Sequence, residues 1–141
     1  MTNEEEIVFN EYVELIGCPE NVAASLHAFC ARVKEARPEA ELYHTNAQLI
    51  FRVPNVRNGG NGIEIRARRT QYRIALRKVT DPTLPQGNPV GPERWLVRYE
   101  YFIVLEPDRY HPEVTDKAYE DLVFKAALNS YDQAVKGQAG N

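Results

Sequence analysis

Apolar positions repeat with two different periods along the chain, and the change of period separates predicted helices from predicted strands. Up to residue 37 they recur every three or four positions, as on one face of a helix. Val8, Tyr12 and Leu15 form a first stripe, and Val22, Leu26, Phe29 and Val33 form a second. Gly17 ends the first predicted helix, and Arg37-Pro38 ends the second because a residue before proline avoids the α region.

From residue 49 the period is two, which predicts four antiparallel strands. Their apolar members are Leu49, Phe51 and Val53; Ile63, Ile65 and Ala67; Tyr72, Ile74 and Leu76; and Trp95, Val97, Tyr99, Tyr101 and Ile103. The glycine-rich stretch 58–62 predicts a hairpin connection made of residues with positive φ. Residues 80–92 contain four prolines and predict a long loop, which could be a lid over a pocket, a partner-binding segment or a structured wrap over the sheet edge.

A last helix is predicted over roughly 116–136, followed by a frayed tail at 137–141. Apolar residues cover well over half of its circumference, so we expect it to contact a neighbouring helix or a second subunit as well as a sheet. The predicted order is ααββββα. We therefore expect a single α+β domain over residues 1–141, in which a helical hairpin (1–37) and the C-terminal helix (115–136) pack on one face of a four-stranded antiparallel sheet (41–105).

Charge is unevenly distributed, although the net charge is only −3. Residues 1–20 contain six glutamates and no lysine or arginine, whereas residues 52–78 contain seven arginines and one lysine against Glu64 alone. Local charge decides what a surface attracts, so the basic stretch favours an anionic partner.

Composition and cysteine usage indicate an ordinary globular protein. At 141 residues the chain is long enough to bury a core without a metal or a disulfide. We expect no membrane span, no secretory signal and a cytoplasmic location, because no apolar stretch approaches the required length and the first residues are acidic. Cys18 and Cys30 are expected to be reduced, with a disulfide between them as the alternative.

Five arginines are the candidate ligand-binding residues. Strict alternation places Arg66, Arg68, Arg73, Arg77 and Arg98 on the sheet face opposite the helices, where guanidinium groups bind phosphate or carboxylate bidentately. The alternatives are a solvated face in which Glu64 and Glu100 make cross-strand pairs, or a protein-docking face. Trp95, Tyr99 and Tyr101 are expected on the core side and only Phe102 among the arginines, which argues against a base-stacking platform.

Metal and cofactor sites are not predicted. His27-x-x-Cys30 on a helix, with His44 or His111, has the ligand types of a three-ligand metal site. A buried thiol and a surface imidazole explain the same residues. Gly59-Gly60-x-Gly62 resembles a phosphate loop only in composition, because it precedes a strand rather than a helix.

No catalytic residue is predicted, because no familiar nucleophile or acid–base spacing is present. Acidic residues cluster with a tyrosine and a histidine between the last strand and the last helix, and an acid–base site there is the alternative to a solvated turn. The members of this cluster are Asp108, Tyr110, His111, Glu113 and Asp116.

Two stretches resemble small bacterial domains of the YdhG-like type. The first, Pro19 to Val53, contains Pro38-Glu39-Ala40-Glu41 after a helix and then the strand Leu49-Ile50-Phe51-Arg52. The second is a closing helix with Ala126, Ala127 and Tyr131. The resemblance covers about half of the chain, and residues 80–92 and the middle strands depart from it. It implies a compact helix–sheet–helix fold and carries no functional residue across.

Three hypotheses about function follow. The first is a non-enzymatic binding or adaptor module whose arginine-bearing face meets a nucleic acid, a nucleotide or an acidic protein surface. The second is a homo-oligomeric structural subunit in which the acidic first helix of one copy meets the basic strands of the next. The third is a small enzyme with a pocket under residues 80–92.

Overall fold

The computed structural model describes residues 1–56, 59–77, 80–85, 87–89, 99, 101–105, 107 and 117–139. The helices are α1 (Asn3–Ile16), α2 (Glu20–Ala36) and α3 (Lys117–Ala139). The strands are β1 (Glu41–His44), β2 (Leu49–Arg52), β3 (Asn61–Ala67), β4 (Tyr72–Leu76), β5 (Asn88–Pro89) and β6 (Tyr101–Leu105). The α+β class and the helix–helix–strands–helix order are confirmed, and α3 continues three residues beyond its predicted end.

Local sequence signals explain where α1 and α2 begin and end. The Thr2 hydroxyl accepts a hydrogen bond from the Glu5 amide at 3.2 Å, and the Thr2 amide donates to the Glu5 carboxylate at 3.0 Å, which completes a capping box. Gly17 then ends α1 with a φ of 74°. Helix α2 stops at Ala36, directly before Arg37-Pro38, as the proline rule predicts.

In the described part of the chain the sheet has six strands rather than the predicted four, in the order β1-β2-β3-β4-β6-β5, and every neighbouring pair is antiparallel. Strand β1 was missed because four residues with one buried apolar side chain, Leu42, give too short a pattern to detect. Strand β5 was missed because its two residues lie in the proline-rich stretch. Proline is tolerated there because β5 is an edge strand.

One hydrophobic core joins the helices to one face of the sheet. It contains the buried side chains of α1, α2 and α3 together with Leu49, Phe51, Ile63, Ile65, Ile74, Leu76 and Ile103. Helix α3 also contacts α2, since Arg32 and Arg37 of the α2 end bind Asp121 and Asp132 at 2.9 Å and 2.8 Å. The expectation that the broad apolar α3 contacts a neighbouring helix is therefore confirmed.

The sheet face opposite the helices is partly buried, although a solvated face would have exposed side chains. Ile50, Glu64 and Ala75 are paired across the strands there, and all three are buried. Tyr99 packs with Ala75 and Phe102 on this face, so its predicted core-side position is wrong. The reason is that β6 begins only at Tyr101, and alternation does not extend outside a regular strand. Trp95 and Val97 lie outside the described residues.

The glycines of the 58–62 stretch have different roles from those predicted. Gly59 has a positive φ, but Gly60 and Gly62 do not, and Asn61 and Gly62 already belong to β3. A Cβ added to Gly62 would lie 2.7 Å from the Tyr131 Cα of α3. Gly62 is therefore required for the close approach of α3 to the sheet, beside a register irregularity between Phe51 and Arg52.

Candidate functional site: an arginine groove

Two of the five candidate arginines face each other across the sheet. Arg66 of β3 and Arg73 of β4 are directly opposite residues. The Arg73 guanidinium lies 5.2 Å from the Phe102 ring centroid, and its Nε is buried without a hydrogen-bond acceptor among the described residues. Arg73 therefore packs against the sheet face with an aromatic neighbour, as the sequence suggested for Phe102.

Arg77 is held at one end of the sheet by backbone carbonyl groups. Its guanidinium donates to the Gly59 oxygen at 2.7 Å and to the Asn61 oxygen at 2.8 and 3.1 Å. These bonds tie the end of β4 to the start of β3, so Arg77 serves the fold here rather than an exposed surface. Arg98, the fifth candidate, lies outside the described residues.

Arg68 lies at the other end of the β3–β4 pair, where a tight turn joins the two strands. The Arg68 amide donates to the Gln71 carbonyl at 2.8 Å, so Arg69 and Thr70 form the tip of the turn. Side chains at a turn leave the plane of the sheet, which explains why alternation did not find Arg69. The signal that could have found it is the four-residue spacing between the two predicted strands, which is typical of a hairpin turn.

This turn forms one wall of a groove with a volume of about 610 Å³, which we call the arginine groove. It is lined by Ile16, Asn46, Ala47, Arg66, Ala67, Arg68, Arg69, Thr70 and Gln71. The second wall is the turn between β1 and β2, and Ile16 closes the groove from the end of α1. The structure thus brings Arg66 and Arg68 together and adds Arg69.

Tyr12 of α1 fixes the distance between the two walls. Its hydroxyl donates to the Ala47 carbonyl at 2.9 Å and accepts from the Ala67 amide at 3.0 Å. Burial raises the pKa of Tyr12 to about 12, so the phenol keeps the proton that it donates. This role is not predictable from the sequence, because the spacing of Tyr12 indicates only a core residue of an amphipathic helix.

The arginine groove is electropositive. Among the residues that the structure describes, none of those lining the groove carries a carboxylate, and neither Arg68 nor Arg69 makes an ion pair. Both side chains are exposed. Guanidinium groups in this state have their donors directed to solvent and are ready to bind an anion bidentately.

The candidate metal ligands have other partners. His27 Nε2 lies 2.8 Å from a Glu6 oxygen, and His44 Nε2 lies 3.2 Å from a Glu11 oxygen. Cys30 is fully buried, and burial raises the pKa of its thiol. Among the described residues, no group of three potential ligands is arranged to hold a metal ion. His111 falls outside those residues. Both cysteines are free thiols.

A smaller cleft of about 250 Å³ lies between α2, α3 and the sheet. The Ser25 and Tyr72 hydroxyls are 3.0 Å apart at its floor, and burial raises the pKa of Tyr72 to about 12. Arg32, the one cation among its described lining residues, is already bound to Asp121 and stacks on Phe124 at 4.1 Å. The cluster from Asp108 to Asp116 lies outside the described residues, so the solvated turn stays a prediction and the acid–base site stays its alternative.

Comparisons with protein-family models, with curated proteins and with solved structures found no match. The resemblance to YdhG-like domains therefore stays a prediction. None of the helices that the structure describes is long and apolar enough to cross a membrane.

Proposed function

We propose that this chain is a binding module and that its arginine groove binds the phosphate groups of a nucleic acid or nucleotide. The observation that carries the proposal is the convergence of Arg66, Arg68 and Arg69 in a groove whose described lining residues include no carboxylate. The three positive charges attract a polyanion from a distance, and the exposed Arg68 and Arg69 guanidinium groups then bind phosphate oxygens in pairs.

The lining favours phosphate over an acidic protein surface. Protein interfaces are anchored by buried aromatic or large aliphatic side chains, and Ile16 is the only large apolar residue among the lining residues that the structure describes. None of these described residues is aromatic, so they offer bases no ring on which to stack. We therefore expect binding that follows the number of phosphates and shows little base preference.

The test is fluorescence anisotropy with a labelled single-stranded oligonucleotide of about 12 nucleotides, a length in the range of known single-strand sites. The variant is Arg68→Glu with Arg69→Glu. The matched control is Lys125→Glu with Lys136→Glu, which makes the same charge change on two exposed residues of α3. We expect the groove variant to lose about tenfold or more in affinity, and the control to lose less than about threefold.

Salt dependence provides a second measurement. Loss of two phosphate contacts should reduce the slope of log K against log salt by about 1.4 for a single strand. Equal losses in the two variants would contradict the proposal, because they would indicate attraction by total charge alone. A groove variant that loses thermal stability but keeps its affinity would also contradict the proposal. The two arginines would then stabilise the fold, as positive charges near the C-terminal carbonyl groups of α1, rather than bind a ligand.

Self-assembly is the second candidate, and two exposed apolar residues of α1 favour it. Ile7 and Leu15 are 57% and 53% exposed. At 100° per residue they lie about 80° apart around the helix axis. The proposed acidic contact is weaker support, because Glu5, Glu6 and Glu11 are paired with Lys34, His27 and His44 of the same chain. Light scattering of wild type and of Leu15→Glu tests this candidate, which requires a stable oligomer that the substitution dissociates.

A further inference from the structure

We propose that His44 and Glu11 form a pH-dependent clamp, which positions one wall of the arginine groove so that anion binding weakens when His44 loses its proton. The proposal rests on the proposed function and names a way in which the groove is regulated. His44 and Glu11 are positioning residues, because neither lines the groove.

The partners of the His44 ring require two protons. Nδ1 lies 2.9 Å from the Thr45 carbonyl oxygen, and Nε2 lies 3.2 Å from a Glu11 carboxylate oxygen. A carbonyl and an ionised carboxylate can only accept hydrogen bonds, and a neutral imidazole has one donor. The two contacts are satisfied together only when His44 is an imidazolium.

The clamp acts on the turn that forms the second wall. Thr45 opens that turn: its amide donates to the Gln48 carbonyl at 2.8 Å, and its hydroxyl accepts from the Ala47 and Gln48 amides. His44 therefore holds the first residue of the turn to Glu11 of α1. Its neighbour Tyr12 holds Ala47, so α1 secures this wall at two points.

The groups that face His44 set the direction of the pH effect. The Thr45 carbonyl and the Glu11 carboxylate raise the pKa of His44 above 6.5, and partial burial opposes them. Two further residues face the His44 ring, and neither brings a charge. The Tyr12 ring of α1 has its centroid 6.2 Å from that of His44 and stays neutral, and Leu49, the β2 residue paired with His44, is apolar. The clamp is thus complete below pH 6.5 and is lost as the pH rises through the folded-state pKa.

Two consequences of deprotonation act in the same direction. Neutral His44 has one donor left, so it releases either the Thr45 carbonyl of the turn or the Glu11 carboxylate of α1, and the bridge between the two is broken in both cases. The Glu11 carboxylate also loses its cationic partner, which adds negative potential near Ile16 and the groove. Ion pairs this close to solvent have small effects, so we expect a modest fall in affinity, of about fivefold across the titration.

The experiment measures oligonucleotide affinity between about pH 5.5 and 8.5, the range in which histidine changes charge. The probe carries only phosphodiesters, which stay ionised throughout, and a rhodamine label. The variants are His44→Gln and, as matched control, His27→Gln, which removes the other histidine–glutamate pair of α1. We expect wild type and His27→Gln to show the fivefold loss with rising pH, and His44→Gln to show a flat profile.

NMR separates failure of the clamp from failure of the proposed function. The His44 ring should titrate above pH 6.5, and the upward shift of its pKa should be smaller in Glu11→Gln. The chemical shifts of the Ala47 and Gln48 amides should change with the same midpoint as His44. Identical binding profiles in wild type and His44→Gln overturn the clamp and leave the groove intact as an anion site. If wild type binds the oligonucleotide at no pH, and so does not differ from the Arg68→Glu, Arg69→Glu variant, the proposed function is overturned and this regulation with it.

Discussion

Arg77 and Arg68 each follow the last residue of a strand, at opposite ends of the same antiparallel pair. At the Arg77 end, the guanidinium is used by the Gly59 and Asn61 carbonyls, and α3 packs closely over Gly62. At the Arg68 end, the described residues offer neither Arg68 nor Arg69 a carboxylate, and the turn borders an open groove. Identical side chains in equivalent strand positions thus serve the fold at one end and are available to a ligand at the other.

The difference between the ends arises from the neighbouring backbone. Near Arg77, carbonyl groups beside the register irregularity of β2 and β3 need donors, and a guanidinium supplies several in a fixed arrangement. Near Arg68, the tight turn satisfies its own backbone through the Arg68–Gln71 bond. The predictions below test whether stability belongs to one end and affinity to the other.

The largest expected effect on stability is at the Arg77 end. Gly62→Ala should destabilise the fold by about 3 kcal/mol, since the new methyl group would overlap α3. Its Cβ would lie 2.7 Å from the Tyr131 Cα. The control is Gly137→Ala, where an added Cβ meets nothing within 4 Å. Urea unfolding of both variants measures the difference. Similar midpoints for the two would show that the close packing of α3 is unimportant.

Arg77→Met should cost about 2 kcal/mol, because it keeps the aliphatic stem but leaves the Gly59 and Asn61 carbonyls without their donors. Arg68→Met, the matched change at the other end, should stay within about 0.5 kcal/mol of wild type. Thermal unfolding measures stability, and anisotropy measures oligonucleotide affinity. For oligonucleotide affinity we expect the opposite order: Arg68→Met should bind more weakly than Arg77→Met. A destabilised Arg68→Met would remove the contrast between the two ends.

Tyr12→Phe sharpens the comparison, because it is expected to affect both properties at the groove end. It leaves the Ala67 amide and the Ala47 carbonyl without the phenol and should cost about 1.5 kcal/mol of stability. Oligonucleotide affinity should fall by about threefold, since the walls of the groove lose the hydroxyl between them. Calorimetry and anisotropy on one preparation measure both. Unchanged affinity in a destabilised variant would show that wall spacing does not matter for binding.

Much of the fold was predictable because its signals are local. The capping box of Thr2 and Glu5, the αL glycine at position 17 and the stop before Pro38 each depend on a few neighbouring residues. Short strands were not predictable, since β1 and β5 are defined by their partners rather than by a repeated pattern. Tyr99 shows the same limit, because the alternation assigned to it applies only where a strand is regular.

The candidate site was predictable in charge but only partly in position. The cluster of arginines between residues 52 and 78 is visible in the sequence, and Arg66 and Arg68 do line the groove. The contacts of Arg77 were not predictable, because the carbonyls that bind it are up to eighteen positions away along the chain. The roles of Tyr12 and His44 depend on contacts 33 to 55 positions apart, which no local pattern contains.

The sequence by itself determined the class of the fold, the ends of the first two helices and the concentration of positive charge in one stretch. These properties depend on backbone preferences and on side-chain periodicity, which act between near neighbours. Only the tertiary structure decided which guanidinium groups are bound by the protein's own carbonyls and which border a groove. That choice depends on distances between elements remote in sequence, and packing of the whole chain sets those distances.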